Sequence, residues 1–159
     1  MRRRVAAILR GGLTLVTACA SSGPDEGRTG TAGDDPAALI EALPAAIATV
    51  TTAGWWSEAD REGPYRIVIT EHGYDELVSR LYLQWLEPVD EPPGSRVVGT
   101  VGFDELNEVP LYRLEVAATR DLPTGLEVEL RGASPYTGEE RRFLLRAGPP
   151  GVATLRGQP

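Results

Sequence analysis

His72 is the only histidine in the chain, and Thr70-Glu71-His72-Gly73-Tyr74-Asp75-Glu76 sets three carboxylates beside it. An imidazole among carboxylates can take and return a proton. A hydrolytic site would pair His72 with Asp75 and a nucleophile such as Ser79, although such a triad is defined by geometry and not by nearness in sequence. A turn histidine in a solvated acidic loop is far commoner, so no catalytic residue is assigned. Zinc sites usually need several His or Cys ligands, and this chain has one of each. Phe103-Asp104-Glu105-Leu106-Asn107-Glu108 gathers the hard oxygen ligands that calcium takes, without the spacing of an EF-hand loop. A solvated acidic turn in which Asp104 or Asn107 caps backbone groups fits it better. No metal and no cofactor is assigned.

Trp55 and Trp56 suggest binding more than catalysis. In an extended chain neighbours point to opposite faces, so at most one indole of the pair enters a core. The other would offer a stacking platform to a sugar ring or a partner peptide. The plainer alternative covers both with the N-terminal helix and nearby loops and leaves Trp85 as central core. Trp55, Trp56 and the loop carrying His72 are therefore the candidate binding residues.

Cys19 is the only cysteine. It follows Arg2-Arg3-Arg4 and an apolar run from Val5 to Ala18 that ends in small residues, the order expected of a secretory signal. That run is short of the roughly 20 apolar residues a membrane span needs, and Arg10 and Gly11-Gly12 interrupt it. Val16-Thr17-Ala18-Cys19 resembles the lipobox of bacterial lipoproteins. The resemblance covers only the first nineteen residues, and it implies a thioether lipid at Cys19 with cleavage after Ala18. Ala20 stands where many such proteins of two-membrane cells carry an Asp that retains them at the inner membrane. The resemblance thus implies the outer membrane, facing the periplasm, or the outer face of the plasma membrane in a single-membrane bacterium. A capped thiol also suits an exported chain that cannot form an internal disulfide.

Formal charge is −7, and loss of residues 1–18 removes four Arg and no acid, leaving twelve Arg against 23 acids, or −11. Nucleic-acid binding needs a basic face and is excluded as an expectation; adsorption to anionic headgroups is disfavoured by the same sign. All sixteen basic residues are Arg, which removes Schiff-base chemistry, since that requires a Lys amine.

Positioning these candidates is a matter of strands. Ser21 to Asp35 holds no aromatic or large aliphatic residue and reads as a flexible tether over 19–35. Pro36 to Leu43 makes a short helix stopped by Pro44. Residues 45–52 favour a short strand. From Tyr65 onward, period-two runs mark half-buried strands at 65–70, 79–86, 96–101, 111–117, 126–131 and 141–146, with an edge strand at 151–156. Glu87 to Ser95, with Pro88, Pro92 and Pro93, reads as a long loop. Seven or eight short strands and one helix predict an all-β fold, a single antiparallel β-sandwich of immunoglobulin-like architecture over 36–157, or else a small β-barrel. The expected function is a non-enzymatic, lipid-anchored binding or assembly module with an envelope protein or glycan partner. The alternatives are a hydrolase or metal-dependent enzyme built on His72, and a passive structural lipoprotein.

Overall fold

The computed structural model describes residues 36–90 and 94–158; the expected leader, Cys19 and the expected tether lie outside them. β1 (Ile47–Glu58), β2 (Arg61–His72), β3 (Val78–Val89) and β4 (Gly94–Gly102) form sheet A, in that order. β5 (Arg113–Leu122), β6 (Gly125–Ala133), β7 (Glu140–Ala147) and β8 (Ala153–Gln158) form sheet B in the same manner. All neighbours are antiparallel. The two sheets share one core, so the chain is an all-β sandwich, and no ladder among the described residues closes it into a barrel. Each sheet is a plain meander, so the layers are reached without the Greek-key crossings of immunoglobulin domains.

Alternation decides which side chains meet. Tyr65, Ile67 and Ile69 of β2 and Leu81, Leu83 and Trp85 of β3 point inward from sheet A, against Leu126, Val128 and Leu130 of β6 and Phe143 and Leu145 of β7. Each such side chain removed from water stabilises the fold by about 1.5–3 kcal/mol. Two polar clasps join the layers at opposite ends. At the end carrying the β1–β2 and β7–β8 turns, Tyr65 Oη and Trp85 Nε1 both donate to the Gly148 carbonyl, at 3.0 and 2.8 Å. Burial pushes the Tyr65 phenol up to about 12, because its charged form would lose water. At the other end Ser79 Oγ accepts the Leu114 N–H at 2.9 Å, and the Ser79 N–H donates to the Tyr112 carbonyl at 2.8 Å.

Several elements run further than the sequence pattern indicates. β1 continues from the expected 45–52 segment through both Trp residues to Glu58. The expected loop 87–95 shrinks, because β3 reaches Val89 and pairs it with Gly94. Pro88 is tolerated there because β2 stops pairing with β3 at Tyr65↔Trp85, so its missing N–H faces no strand on that side. The acidic stretch at 103–108 folds as a one-turn helix, α2 (Asp104–Asn107), anchored by buried Leu106. The N-terminal helix α1 (Pro36–Glu41) forms as expected, yet Leu39 and Ile40 are exposed, so the packed body begins at β1.

Candidate functional site

After an irregularity between Ile47 and Thr49, β1 runs with its odd positions inward: Thr49, Thr51 and Ala53 are half-buried opposite Ile69, Ile67 and Tyr65, while Val50 and Thr52 are exposed. Continued without a break, that pattern would bury Trp55 and expose Trp56. Gly54 reverses it. The ladder steps from Ala53↔Tyr65 to Trp55↔Pro64, leaving Gly54 unpaired at φ +61°, a bulge in the left-handed conformation that glycine adopts without steric cost. A Cβ here would stand 2.9 Å from Leu126 Cδ1. With parity flipped by one residue, Trp56 is 1% exposed and Trp55 51%.

Trp56 is therefore a core residue and not the binding residue it was expected to be. Its Nε1 donates to the Leu86 carbonyl at 3.0 Å. The Arg61 guanidinium lies 5.9 Å from its ring centroid and is itself held by Glu87 at 3.0 Å. Arg61 and Arg96 together hold the Glu87 carboxyl below its ordinary value by hydrogen bonding to it. Gly63, opposite Trp56, is required for the approach of β3, since a Cβ there would lie 1.9 Å from the Leu86 carbonyl oxygen.

Trp55 lies on the outer face of sheet A with Val50, and Val97 of β4 shares that face; 49% of Val50 and 45% of Val97 is exposed. Between them runs a row with a single charge, in which Arg66 Nε donates to Gln84 at 2.7 Å and Gln84 Nε2 donates to Thr100 at 3.2 Å. β1 is also an edge: it pairs with β2 alone, so every second N–H and C=O turns away from the sheet. From Ile47 to Ser57 the edge contains no charged residue. Natural edge strands are normally blunted by charge or proline, and here the interruptions are an irregularity at Ala48, near the start of the strand, and the bulge at Gly54. Sequence reasoning missed this surface because it ended the strand at 52. The signal was present in eleven consecutive uncharged residues that include a paired aromatic.

The His72, Asp75 and Ser79 arrangement that the hydrolase alternative requires does not assemble. Glu71 pairs with Ser79, and His72 with Val78, which sends Ser79 and His72 to opposite faces of sheet A. Ser79 is 1% exposed, with its hydroxyl committed to Leu114. His72 Nε2 meets Thr70 Oγ1 at 2.9 Å, and Asp75 stands in the exposed turn. At 103–108, Asn107 is used structurally. Its side-chain oxygen accepts the Leu81 N–H at 2.8 Å and its NH₂ donates to the Leu81 carbonyl at 2.9 Å, replacing the partner β3 lacks where β4 ends at Tyr82↔Gly102. Among the described residues no three His, Cys, Asp or Glu side chains gather to hold a metal ion, and no helix is long and apolar enough to cross a membrane.

Comparison with known protein families, with curated proteins and with solved structures gave no match.

Proposed function

We propose that this protein is a lipid-anchored envelope module that captures a partner polypeptide and performs no chemistry on it, held at a membrane through Cys19. In a two-membrane cell the reading places it on the outer membrane facing the periplasm. The Arg-rich start and Val16-Thr17-Ala18-Cys19 support the anchor. One observation carries the binding role: an uncharged edge strand, β1, with a half-exposed Trp55 beside it.

Outward backbone N–H and C=O groups on a strand edge are matched best by another extended backbone, so the occupant is a peptide strand added to β1, and a glycan is the poorer fit. Alternate side chains of that strand would lie on the outer face of sheet A, where Trp55 supplies a broad, rigid contact at small entropic cost.

Crosslinking from intact envelopes through a photoreactive residue placed at Val50, with and without Trp55→Ala, tests the reading. The expected result is one crosslinked protein whose yield collapses in the Trp55→Ala form, together with slowed hydrogen exchange of β1 amides when that protein is added in purified form. An unchanged yield with unprotected β1 amides would overturn the binding role and leave a passive structural one. The anchor is checked separately by mass spectrometry of the purified product, where an unmodified Cys19 with residues 1–18 still attached would refute it.

A further inference from the structure

Two rows on the outer face of sheet B, separated by the row Ala118↔Glu129↔Leu144, have related makeup and opposite outcomes. In the first, Arg120↔Glu127↔Arg146 are cross-strand partners. Glu127 lies between the arginines, accepting from Arg146 Nε at 2.7 Å on one oxygen and from Arg120 on the other. The row is closed, and its carboxyl sits below the ordinary glutamate value chiefly because of the Arg146 hydrogen bond.

In the second row the partners are Glu115↔Arg131↔Arg142, so the order of charges is minus, plus, plus. Arg131 reaches Glu115 only at 3.8 Å, and Arg142 faces Arg131 with no acid across from it. Like charges directly opposite one another on a sheet are destabilising, and no carboxylate stands between this pair as Glu127 stands between its arginines two rows away; Glu129 and Glu140 lie only on the diagonals, in the flanking rows.

The open row borders a hollow of about 1200 Å³. Small side chains, Ala48 and Thr49 of β1 and Ala133 of β6, leave the space unfilled. Arg113 and Arg141 also line it. Arg113 is engaged by Glu71 at 2.9 Å, whereas Arg141 lies 5.9 Å from the Phe143 ring centroid, with Glu140 as the remaining acid on the rim. By contrast, the hollow beside the closed row measures about 280 Å³, and Glu127 already supplies its carboxylate.

We propose that this basin binds a small polycarboxylate, one carboxylate bridging Arg131 and Arg142 as Glu127 bridges Arg120 and Arg146. The planar guanidinium fork suits a carboxylate held in this way. The volume exceeds what one carboxylate needs and is above the roughly 300–1,000 Å³ usual for small-ligand sites, so the body of the ligand and a second acid group fall toward Arg141. The site goes beyond the peptide-strand reading and does not depend on it.

The test is titration of the ¹⁵N-labelled full domain with citrate, following backbone amides, with inorganic phosphate as a second probe. Saturable shifts confined to the ends of β5, β6 and β7 at 113–115, 131–133 and 140–142 are expected. Citrate should bind at least about tenfold more tightly than phosphate, and Arg142→Gln should weaken citrate about tenfold, as loss of one charge-assisted contact requires. Arg146→Gln should leave citrate affinity within about twofold, because that arginine serves the closed row. Shifts that do not saturate, equal affinity for phosphate, or equal loss in Arg146→Gln would each overturn the proposal. Citrate titration of Trp55→Ala separates the two readings, since the basin should bind normally in a variant that has lost strand capture.

Discussion

The two outer faces of one sandwich carry opposite chemistry. On sheet A, the outward positions of β1 and its neighbours are largely Val, Thr, Trp, Tyr and Gln, with Arg66 and Arg80 as the charges over the body of the sheet. Sheet B carries Arg113, Glu115, Arg120, Glu127, Glu129, Arg131, Arg142, Arg146 and Arg156 on its outward positions. The core requires neither composition, because both inner faces are equally apolar. A meander of strands needs one greasy face, and the other is free to vary. The difference therefore reflects what each face meets: a charged lattice keeps sheet B solvated and its edges unattractive to other strands, whereas sheet A lacks that protection along β1.

The sharpest way to break this comparison uses two adjacent residues. Trp56→Ala empties the core and leaves the Leu86 carbonyl without its donor, so it should cost about 3–5 kcal/mol in unfolding free energy. Trp55→Ala, one residue away on the other side of the bulge, should change stability by no more than about 0.5 kcal/mol while abolishing strand capture. Urea unfolding of both variants measures this. Similar losses in the two would mean that Trp55 is a packing residue and that sheet A has no binding face.

Gly54 is what separates the two indoles, and Gly54→Ala should cost about 1–3 kcal/mol through a left-handed backbone and the clash with Leu126. Acrylamide quenching adds a second readout. The native protein should show one accessible indole among its three Trp residues, and a folded Gly54 variant that re-registers β1 should change which indole is quenched. A variant that matches the parent in both stability and quenching would show that the bulge does not set the exposure.

How much of this was legible beforehand follows from particular residues. The period-two runs at 65–70, 79–86 and 126–131 were readable because each buries one face and pairs on both sides, so local pattern and tertiary environment agree. Residues 45–58 were not, because the register shifts twice, at Ala48 and at the unpaired Gly54, and no local signal distinguishes a bulge glycine from a turn glycine. That one of Trp55 and Trp56 is buried was readable; which one was not, since the answer resides in the ladder between β1 and β2. Ser79 looked like a nucleophile beside His72 because sequence nearness conceals the strand parity that parts them. Arg131 and Arg142 were individually unremarkable, and their juxtaposition needs the β6–β7 register.

A smaller effect probes the end clasp that both sheets share. Trp85→Phe keeps most of the ring and removes the donor to Gly148, whose carbonyl retains the Tyr65 hydroxyl. The loss should be about 1 kcal/mol, the net worth of one hydrogen bond. A cost several times larger in urea unfolding would show that the indole packs in a way phenyl cannot replace, and that the clasp is steric and not polar.

The smallest effect is the most specific to sheet B, and pH reveals it. Glu127 has a folded-state value lowered from 4.5 by its two arginines, so it contributes stability that is fully present above the unfolded value and is lost as pH falls through the lowered one. Glu127→Gln should therefore melt below the parent near neutral pH, and the gap should close as the solution is acidified below about pH 4.5, where the parent's carboxylate is also neutralised. Glu87, held down by Arg61 and Arg96 at the end of sheet A, follows the same sign, so the double substitution with Glu87→Gln should flatten the acid limb further. Added salt should shrink the neutral-pH gap, because exposed arginines surround both carboxylates. A gap that stays constant from pH 7 to pH 3 would mean that Glu127 acts through shape alone, and the contrast between a charge-ordered sheet B and a sparsely charged sheet A would lose its electrostatic content.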